Sequence, residues 1–321
     1  MSAVPHDAPN LPAAWAVLPE RSALLVRGPD AVRFVDNFTT AAVARLEPGQ
    51  GSEGFFADAR GHVLALVNIL RTTEGLWLDA AAGVAARLHT HLDHYLIRER
   101  VEFVDATRDV ATFLLSGPGV AAWLSAHAAG RVPVEPLEHN RIDAGGIDAR
   151  AVALDWFGPG GLLLQVPRDD ADRCTAWLRA AALPEWEAAA VDAARIAAVS
   201  PEPRDIDAKT LPQELGRDAR AISFTKGCYL GQETVARLDA LGHVNRRLVT
   251  IATAAPPAVG AAVTAAGDVV GTISSACAAR DGGGLGIALV HVRGLGGTPL
   301  EVGGMPARGV REPAAARRKG A

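Results

Sequence analysis

Residues 226–233, Lys-Gly-Cys-Tyr-Leu-Gly-Gln-Glu, followed by Thr234-Val-Ala-Arg237, place six kinds of polar chemistry within twelve positions. They are a thiol, an ammonium, a phenol, an amide, a carboxylate and a guanidinium. A core segment avoids such an assortment, because each buried polar group without a partner costs about 1–3 kcal/mol. A surface loop has no need of it. Glycines on both sides of Cys228-Tyr229-Leu230 let the backbone turn sharply and approach a ligand. From Gly231 the pattern reads as a helix start, with Glu233 in the first turn, where the dipole favours an anion. Cys228 then stands just ahead of a helix N-terminus and near Lys226, two influences that lower a thiol pKa and raise its thiolate fraction. The plainer reading is a small buried hydrophobe beside a surface charge, and the company of the other polar groups argues against it. Cys228, Lys226 and Glu233 form the candidate catalytic set.

These side chains need a scaffold. At 321 residues, 49% hydrophobic and 21% charged, the chain suits a well-packed protein of two or three domains. A faint internal repeat organises its first part. Ser22-Ala-Leu-Leu-Val-Arg-Gly-Pro29 resembles Ala111-Thr-Phe-Leu-Leu-Ser-Gly-Pro118, an apolar strand ended by Gly-Pro and continued at helical spacing. The first copy goes on through strand-like Gly54–Ala57, Val63–Leu70 and Leu76–Asp79 to a helix near Ala82–Tyr95. The second runs through Ala149–Trp156 and Leu162–Val166 to a helix near Asp169–Ala182. This β-α-β-β-α order predicts two ferredoxin-like α+β halves. From Asn245 the texture changes to short β-compatible runs: Arg247–Thr253, Ala261–Ala265, Val269–Ser274, Gly284–Val290 and Pro299–Val302. Ala266-Gly-Asp268 is a hairpin turn signal. Such a series predicts a small closed barrel.

A net charge of -4 exerts no global pull on nucleic acid or anionic membrane. No apolar run reaches the roughly 18–20 residues that span a bilayer. Met1–Pro12 lacks the cationic and apolar regions of a signal peptide and reads as a disordered lead-in. The end from Arg311 to Lys319 carries four cations and reads as a solvated tail. The three cysteines, Cys174, Cys228 and Cys277, are odd in number and dispersed, which predicts free thiols in a reducing cytoplasm. They cannot supply the usual four ligands of an iron–sulfur cluster.

Lys226-Gly-Cys-Tyr-x-Gly-Gln-Glu233 with Val235-Ala-Arg237 resembles the signature of the YgfZ-type folate-binding proteins, relatives of the glycine-cleavage aminomethyltransferase (T-protein). Leu211-Pro-Gln-Glu214, Ala221-Ile-Ser223, Gly242-His-Val-Asn-Arg-Arg-Leu248, Asp58-Ala-Arg-Gly-His-Val63 and Arg98-Glu-Arg-Val-Glu102 extend the likeness over nearly the whole chain. It is strongest from Leu211 to Leu248. The resemblance implies a cloverleaf of three domains around a central hole: two ferredoxin-like α+β domains and a C-terminal β-barrel. Laid on this chain, these are residues 13–108, residues 109–243 with the Lys226–Glu233 motif, and residues 244–312. The first two are free to intertwine. The lead-in is 1–12 and the basic tail 313–321. The resemblance also implies a monomer, tetrahydrofolate bound at the ring centre, and a role in assembling or repairing iron–sulfur enzymes. Those client enzymes or assembly proteins and reduced folate are then the partners. The motif cysteine, here Cys228, is the residue such proteins need, with Lys226 as its electrostatic neighbour.

The alternative is a tetrahydrofolate-dependent one-carbon (aminomethyl) transferase of unknown substrate, and two departures bear on it. Aminomethyltransferases carry Gly-Gly-x-x-Asp-Asp, whose aspartate is the acid/base candidate, where this chain has Gly61-His-Val-Leu-Ala-Leu66. They carry Thr-Asn-Asp where this chain has Thr40-Ala-Ala42. The chain is therefore transferase-like without the acid/base carboxylate, a group worth about two orders of magnitude or more. A third departure touches the folate. Relatives show Arg-x-Glu-Ala-Gly, with a glutamate that hydrogen-bonds the pterin, against Arg195-Ile-Ala-Ala-Val199 here. A carboxylate reads the donor edge of a pterin as a two-point acceptor. Asp205 or Asp207 is the candidate substitute, with a plain acidic turn as the equal alternative. Arg98, Tyr229, Gln232 and Arg237, in the matching stretches, join the cofactor-binding set by resemblance. Arg247 joins it as a strand-opening cation, facing either an anionic folate tail or solvent.

Other groups carry less. His91 and His94 have an i,i+3 spacing that metals use, but no second cluster of ligand types accompanies them, and with His89 they read as a solvated helix face. Cys228 with His243 lacks the orienting third group of a thiol–imidazole hydrolase. Gly282–Gly286 has neither βαβ context nor a phosphate-binding lysine and reads as a turn.

Overall fold

The repeated Gly-Pro is a repeated strand-to-helix turn. In a computed structural model describing residues 13–18, 21–156, 160–181, 183–279 and 282–313, the chain begins with β1 (Ala14–Val17) and β2 (Ser22–Arg27). β2 ends at Gly28, whose φ of +115° suits glycine, and a Cβ there would stand 2.2 Å from the Arg100 carbonyl oxygen. α1 (Ala31–Asp36), β3 (Gly51–Ala57), β4 (Val63–Arg71), β5 (Gly75–Ala80), α2 (Val84–Asp93) and β6 (Glu102–Asp105) complete the first copy. The second copy is β7 (Val110–Ser116), α3 (Val120–His127), β8 (His139–Asp143), β9 (Asp148–Leu154), β10 (Gly161–Pro167) and α4 (Ala171–Ala180). Gly117 repeats the turn at φ +107°. The lead-in and the tail beyond Pro313 lie outside the described residues. Among the described residues no helix is long and apolar enough to cross a membrane.

Each copy builds a five-stranded antiparallel sheet, ordered β3-β4-β5-β2-β6 and β1-β7-β10-β9-β8. β1 precedes the first copy yet pairs in the second sheet, with Ala14 opposite Ser116. Edge strands β6 and β8 are too short and polar to show in the hydrophobic pattern, and β1, though apolar, is only four residues long. The central strands read as unbroken apolar runs because both their faces are covered. In β10, Leu162 and Leu164 pack with Phe113, Leu124 and Leu178 under α3 and α4, while Leu163 points the other way. In the first sheet Leu24, Val67 and Leu76 pack under α1 and α2. The inner faces of both sheets meet in a shared layer of Ala23, Leu70 and Trp77 against Leu114, Val152 and Leu163.

Between the two sheets and the last part of the chain run α5 (Ala188–Ala197), α6 (Asp218–Ala221) and α7 (Gln232–Leu241). α5 falls outside the predicted repeat. The last part holds β11 (Arg246–Thr253), β12 (Ala262–Ala265), β13 (Asp268–Ala278), β14 (Gly284–His291), α8 (Val292–Leu295), β15 (Leu300–Val302), β16 (Met305–Pro306) and β17 (Gly309–Arg311). The sheet order is β16-β15-β12-β13-β14-β11-β17. β16 and β17 are separated by two residues and lie at opposite ends of that order, so the sheet curls back on itself as a half-barrel. Ala307 N donates to Leu300 O (2.8 Å) and Arg308 N to Ala252 O (2.7 Å) across the gap. The β12–β13 hairpin turns at Ala266 (φ +51°) and Gly267 (φ +88°), the two positive φ values of a tight primed turn. The architecture is mixed α and β, with two sheets packed face to face and a third, curled one.

Candidate functional site

The Lys226–Glu233 segment is bound to the loop after α1. Thr40 Oγ1 donates to Ala221 O (2.5 Å) and accepts from Phe55 N (2.9 Å). Ser223 N donates to Thr40 O (2.8 Å) and Leu230 N to Asn37 O (2.9 Å). The Thr40-Ala-Ala42 stretch thus holds the motif by its backbone. The Lys226 side chain is buried, and Nζ donates to the carbonyls of Asp36 (2.5 Å), Thr39 (3.0 Å) and Ala41 (2.7 Å). It lies 3.1 Å from Asp36 Oδ1 and 5.3 Å from the centre of the Tyr229 ring. Burial lowers the Lys226 pKa, with Asp36 opposing the shift. All three ammonium donors are occupied, so Lys226 fixes the loop that carries Cys228.

Cys228 is exposed, whereas Cys174 is buried and Cys277 half-buried. Burial pushes the Cys174 thiol up to about 12 and the Cys277 thiol up to about 11. Tyr229 is buried and its phenol is pushed up to about 12 for the same reason. α7 starts where the sequence predicted, after Gly231 at φ +81°, with Glu233 exposed in its first turn. A Cβ on Gly231 would stand 2.7 Å from Asp58 O and 3.0 Å from Gly61 Cα, so the motif is pressed onto the β3–β4 turn.

That turn leads into a large cavity. Val63, Leu64, Ala65 and Leu66 of β4 form one wall of a space of about 790 Å³ between the sheets and α5, with Trp156 and Val191 on other walls. Small-molecule sites commonly span about 300–1,000 Å³. Ala65 in this wall offers no carboxylate, but carboxylates enter from elsewhere. Asp79 receives Arg21 through Nε (2.9 Å) and Nη2 (2.8 Å), Asn68 Nδ2 (2.8 Å) and Gln165 Nε2 (3.1 Å). The Arg21 guanidinium also lies 4.7 Å from the Trp156 ring centre. Glu53 is held by Arg217, with Nε at 2.8 Å from Oε2 and Nη2 on Oε1. Burial would raise the Glu53 carboxyl, but Arg217 outweighs it and keeps the pKa below the usual range. Both carboxylates have their two oxygens occupied.

Asp192 on α5 differs. Arg195 Nε (2.8 Å) and Arg204 Nη2 (2.7 Å) both bond its Oδ1, and among the described residues Oδ2 takes no hydrogen bond. It lines the cavity and is partly exposed. A pterin donor edge needs such an acceptor, so the residues present fit a folate in size and in polarity.

The predicted cofactor residues scatter. Asp205 is buried, with Oδ2 held by Arg195 Nη1 (2.6 Å) and Glu202 N (3.0 Å) and Oδ1 by Ser274 and Ser275 (2.6 Å each). It fastens α5 to β13. Asp207 lines the cavity, paired with Arg246 Nη1 at 2.6 Å. Its burial acts upward, yet Arg246 and the Lys209 backbone amide hold the carboxyl below its usual range. Arg247 pairs with Glu312 (2.7 Å). Arg98 and Arg237 are exposed, Gln232 is half-buried, and none of these, nor Tyr229, Glu233 or Cys228, lines the cavity. The sequence reading missed Arg21, Glu53, Asn68, Asp79, Gln165, Asp192 and Arg217. A usable signal existed for three of them: Asn68, Asp79 and Gln165 are single polar residues within otherwise apolar, buried strand runs.

Residues 20–226 match the model of the GCVT N-terminal domain, and the chain belongs to that family. It is 27% identical over 267 residues to a putative chloroplastic transferase of Arabidopsis thaliana, covering 81% of this chain and 60% of that one. The tRNA-modifying protein YgfZ of Klebsiella pneumoniae is 28% identical over 257 residues (77% and 74%). A mitochondrial iron–sulfur cluster assembly factor IBA57 homolog of Phaeosphaeria nodorum is 28% identical over 255 residues (74% and 54%). The chain thus spans well under two thirds of the length of two of these relatives. Glycine cleavage system aminomethyltransferase T of Bartonella henselae superposes over 97% of this chain and 87% of that one with a TM-score of 0.77 at 19% identity. That likeness shows the fold. The similarity to YgfZ-type proteins and to the T-protein read from the motif is therefore borne out.

Proposed function

We propose that this protein is a cytoplasmic folate-binding accessory factor in the assembly or repair of iron–sulfur enzymes, with Cys228 as its reactive thiolate. The observation that carries the reading is the exposed Cys228 on a loop fixed by buried Lys226, beside a large cavity whose strand carboxylates are both locked by arginine. The names of the YgfZ and IBA57 relatives support the iron–sulfur setting. The three-domain cloverleaf belongs to the same proposal, with the curled sheet as its barrel.

Tetrahydrofolate, when bound, would supply a reduced pterin and its one-carbon chemistry. Asp192 Oδ2 would accept from the pterin edge, and Leu64, Leu66 and Trp156 would cover the rings. The start of β4 lines the cavity at Val63–Leu66 and the β3–β4 turn before it supports Gly231 at Asp58–Gly61, so occupancy would reach the thiol loop through this turn. Aminomethyl transfer is the weaker reading, because a general acid/base needs an available carboxylate within reach of its proton. Glu53 and Asp79 have none to offer, and the free oxygen of Asp192 is assigned to the pterin edge.

A strain lacking the protein should lose [4Fe–4S] enzyme activity under oxidative stress, with rescue by the parent gene but not by Cys228→Ala. Full enzyme activity in the deletion would end the proposal. Calorimetry should show tetrahydrofolate binding that Asp192→Asn weakens roughly tenfold, the value of one charge-assisted hydrogen bond. Equal affinity in parent and variant would remove Asp192 from the site.

A further inference from the structure

A second cleft lies on the other side of the segment from Arg204 to Asp207. It measures about 430 Å³ and is floored by β13 from Val269 to Ser274, with β14, Arg246 and the start of α8 around it. Arg204, Ile206 and Asp207 line both this cleft and the central cavity, so one stretch of backbone partitions the two.

Three guanidiniums and one imidazole face this space: Arg204, Arg246, Arg293 and His291. Two carboxylates, Asp205 and Asp207, stand against them, and both are already answered. Asp205 gives its oxygens to Arg195 and two serines, and Asp207 pairs with Arg246. Arg246 is further bonded by both oxygens of Glu214 (3.0 and 2.8 Å), and Arg204 by Asp192 and Glu202 (2.7 and 2.8 Å). Among the described residues the Arg293 guanidinium has no ion pair or hydrogen bond; only its backbone N–H is engaged, donating to His291 Nδ1 at 3.4 Å. With Nδ1 accepting, the neutral ring carries its proton on Nε2, which is left as a donor. His291 is the cross-strand partner of Arg246, so Arg246, His291 and Arg293 lie at one end of the β11–β14 pair. Apart from Thr272 and Ser274 the rest of the lining is apolar, and Val269 is 60% exposed there without a covering partner in the fold.

We propose that this cleft binds a small organic anion, a phosphomonoester carried on an apolar body. Arg293 and His291 Nε2 would hold the phosphate, and Val269 and Leu289 would receive the body. Arginine suits this task because its planar donors meet phosphate oxygens in pairs. Arg293, the lining guanidinium left without an internal partner among the described residues, favours an anion over a neutral ligand. The volume exceeds what a bare phosphate fills, and the exposed valine calls for apolar cover. The proposal is independent of folate binding, since none of its anchoring side chains lines the central cavity.

The test is titration of the purified full chain with phenyl phosphate, followed by calorimetry and by the ring resonances of His291. Inorganic phosphate and benzyl alcohol are titrated in parallel. The expected result is saturable 1:1 binding of phenyl phosphate, tighter than either half-probe. Arg293→Gln or His291→Gln should weaken it roughly tenfold. Neither residue is part of a buried cluster, and unchanged melting temperatures would show that both variants fold. No saturation below about 10 mM, binding no tighter than inorganic phosphate, or binding weakened less than about threefold in both variants would overturn the assignment.

Discussion

Cys228 and Lys226 are two residues apart and have opposite fates, one in solvent and the other buried under three carbonyls. Thiolate chemistry needs access, and the structure gives access to one of the three thiols. In the native protein a thiol-specific reagent at pH 8 should therefore consume one equivalent rapidly, and Cys228→Ser should abolish that phase. Cys174 should react only on unfolding and half-buried Cys277 far more slowly than Cys228, since burial pushes their pKa values to about 12 and about 11. Two or more fast equivalents would contradict the burial. Lys226→Met should cost about 1–3 kcal/mol in a denaturant titration, because it strips the donor from buried carbonyls. Cys228→Ser should change stability by less than about 0.5 kcal/mol.

At the level of elements, the site depends on how α7 meets the β3–β4 turn. Gly231 combines a left-handed φ with a backbone contact, whereas Gly227 has open space around its Cα and no positive φ. Gly231→Ala should lose at least about 1–2 kcal/mol, the cost of the left-handed conformation for alanine, plus the displacement needed to clear Asp58 O. Gly227→Ala should stay within about 0.5 kcal/mol of the parent. Thermal melts of the two variants decide this, and equal melting temperatures would mean that the turn yields freely. Leu211–Glu214 works at the same scale. Gln213 Nε2 donates to Val235 O of α7 (2.7 Å) while Glu214 holds Arg246 of β11. Part of what resembles a functional signature therefore joins elements.

Over the whole molecule, buried ion pairs tie parts of the chain together: Glu53 to Arg217, Asp79 to Arg21, and Arg195 with Asp205, a pair that bonds Ser274 and Ser275 of the curled sheet. The Glu53 carboxyl is depressed in the folded state, so its contribution is present above the unfolded value near 4.3. It is lost as pH falls through the lower folded value. Glu53→Gln should destabilise by about 3–5 kcal/mol at pH 7, since it leaves Arg217 charged and unpaired. The gap between parent and variant should shrink as the pH is taken below 4. A gap unchanged down to pH 3 would show that the cost lies in packing rather than charge.

The Lys226–Glu233 motif, the start of α7, the Gly-Pro repeat and the major strands of all three sheets were legible in the sequence. Each is written in local spacing: a period of two or 3.6, or a glycine where the backbone must turn. The same is true of the missing carboxylate at Ala65. Tertiary structure alone decided that β1 joins the second sheet, that Lys226 turns inward and Asp205 is consumed by Arg195, and that Asp192 keeps an oxygen free. It also decided that the cavity and the cleft share one wall. Those outcomes depend on which polar group finds which partner in space: Lys226 reaches carbonyls 185–190 residues away and Asp205 reaches serines 69 and 70 residues away, and a carboxylate's neighbours in sequence do not reveal whether its oxygens are occupied.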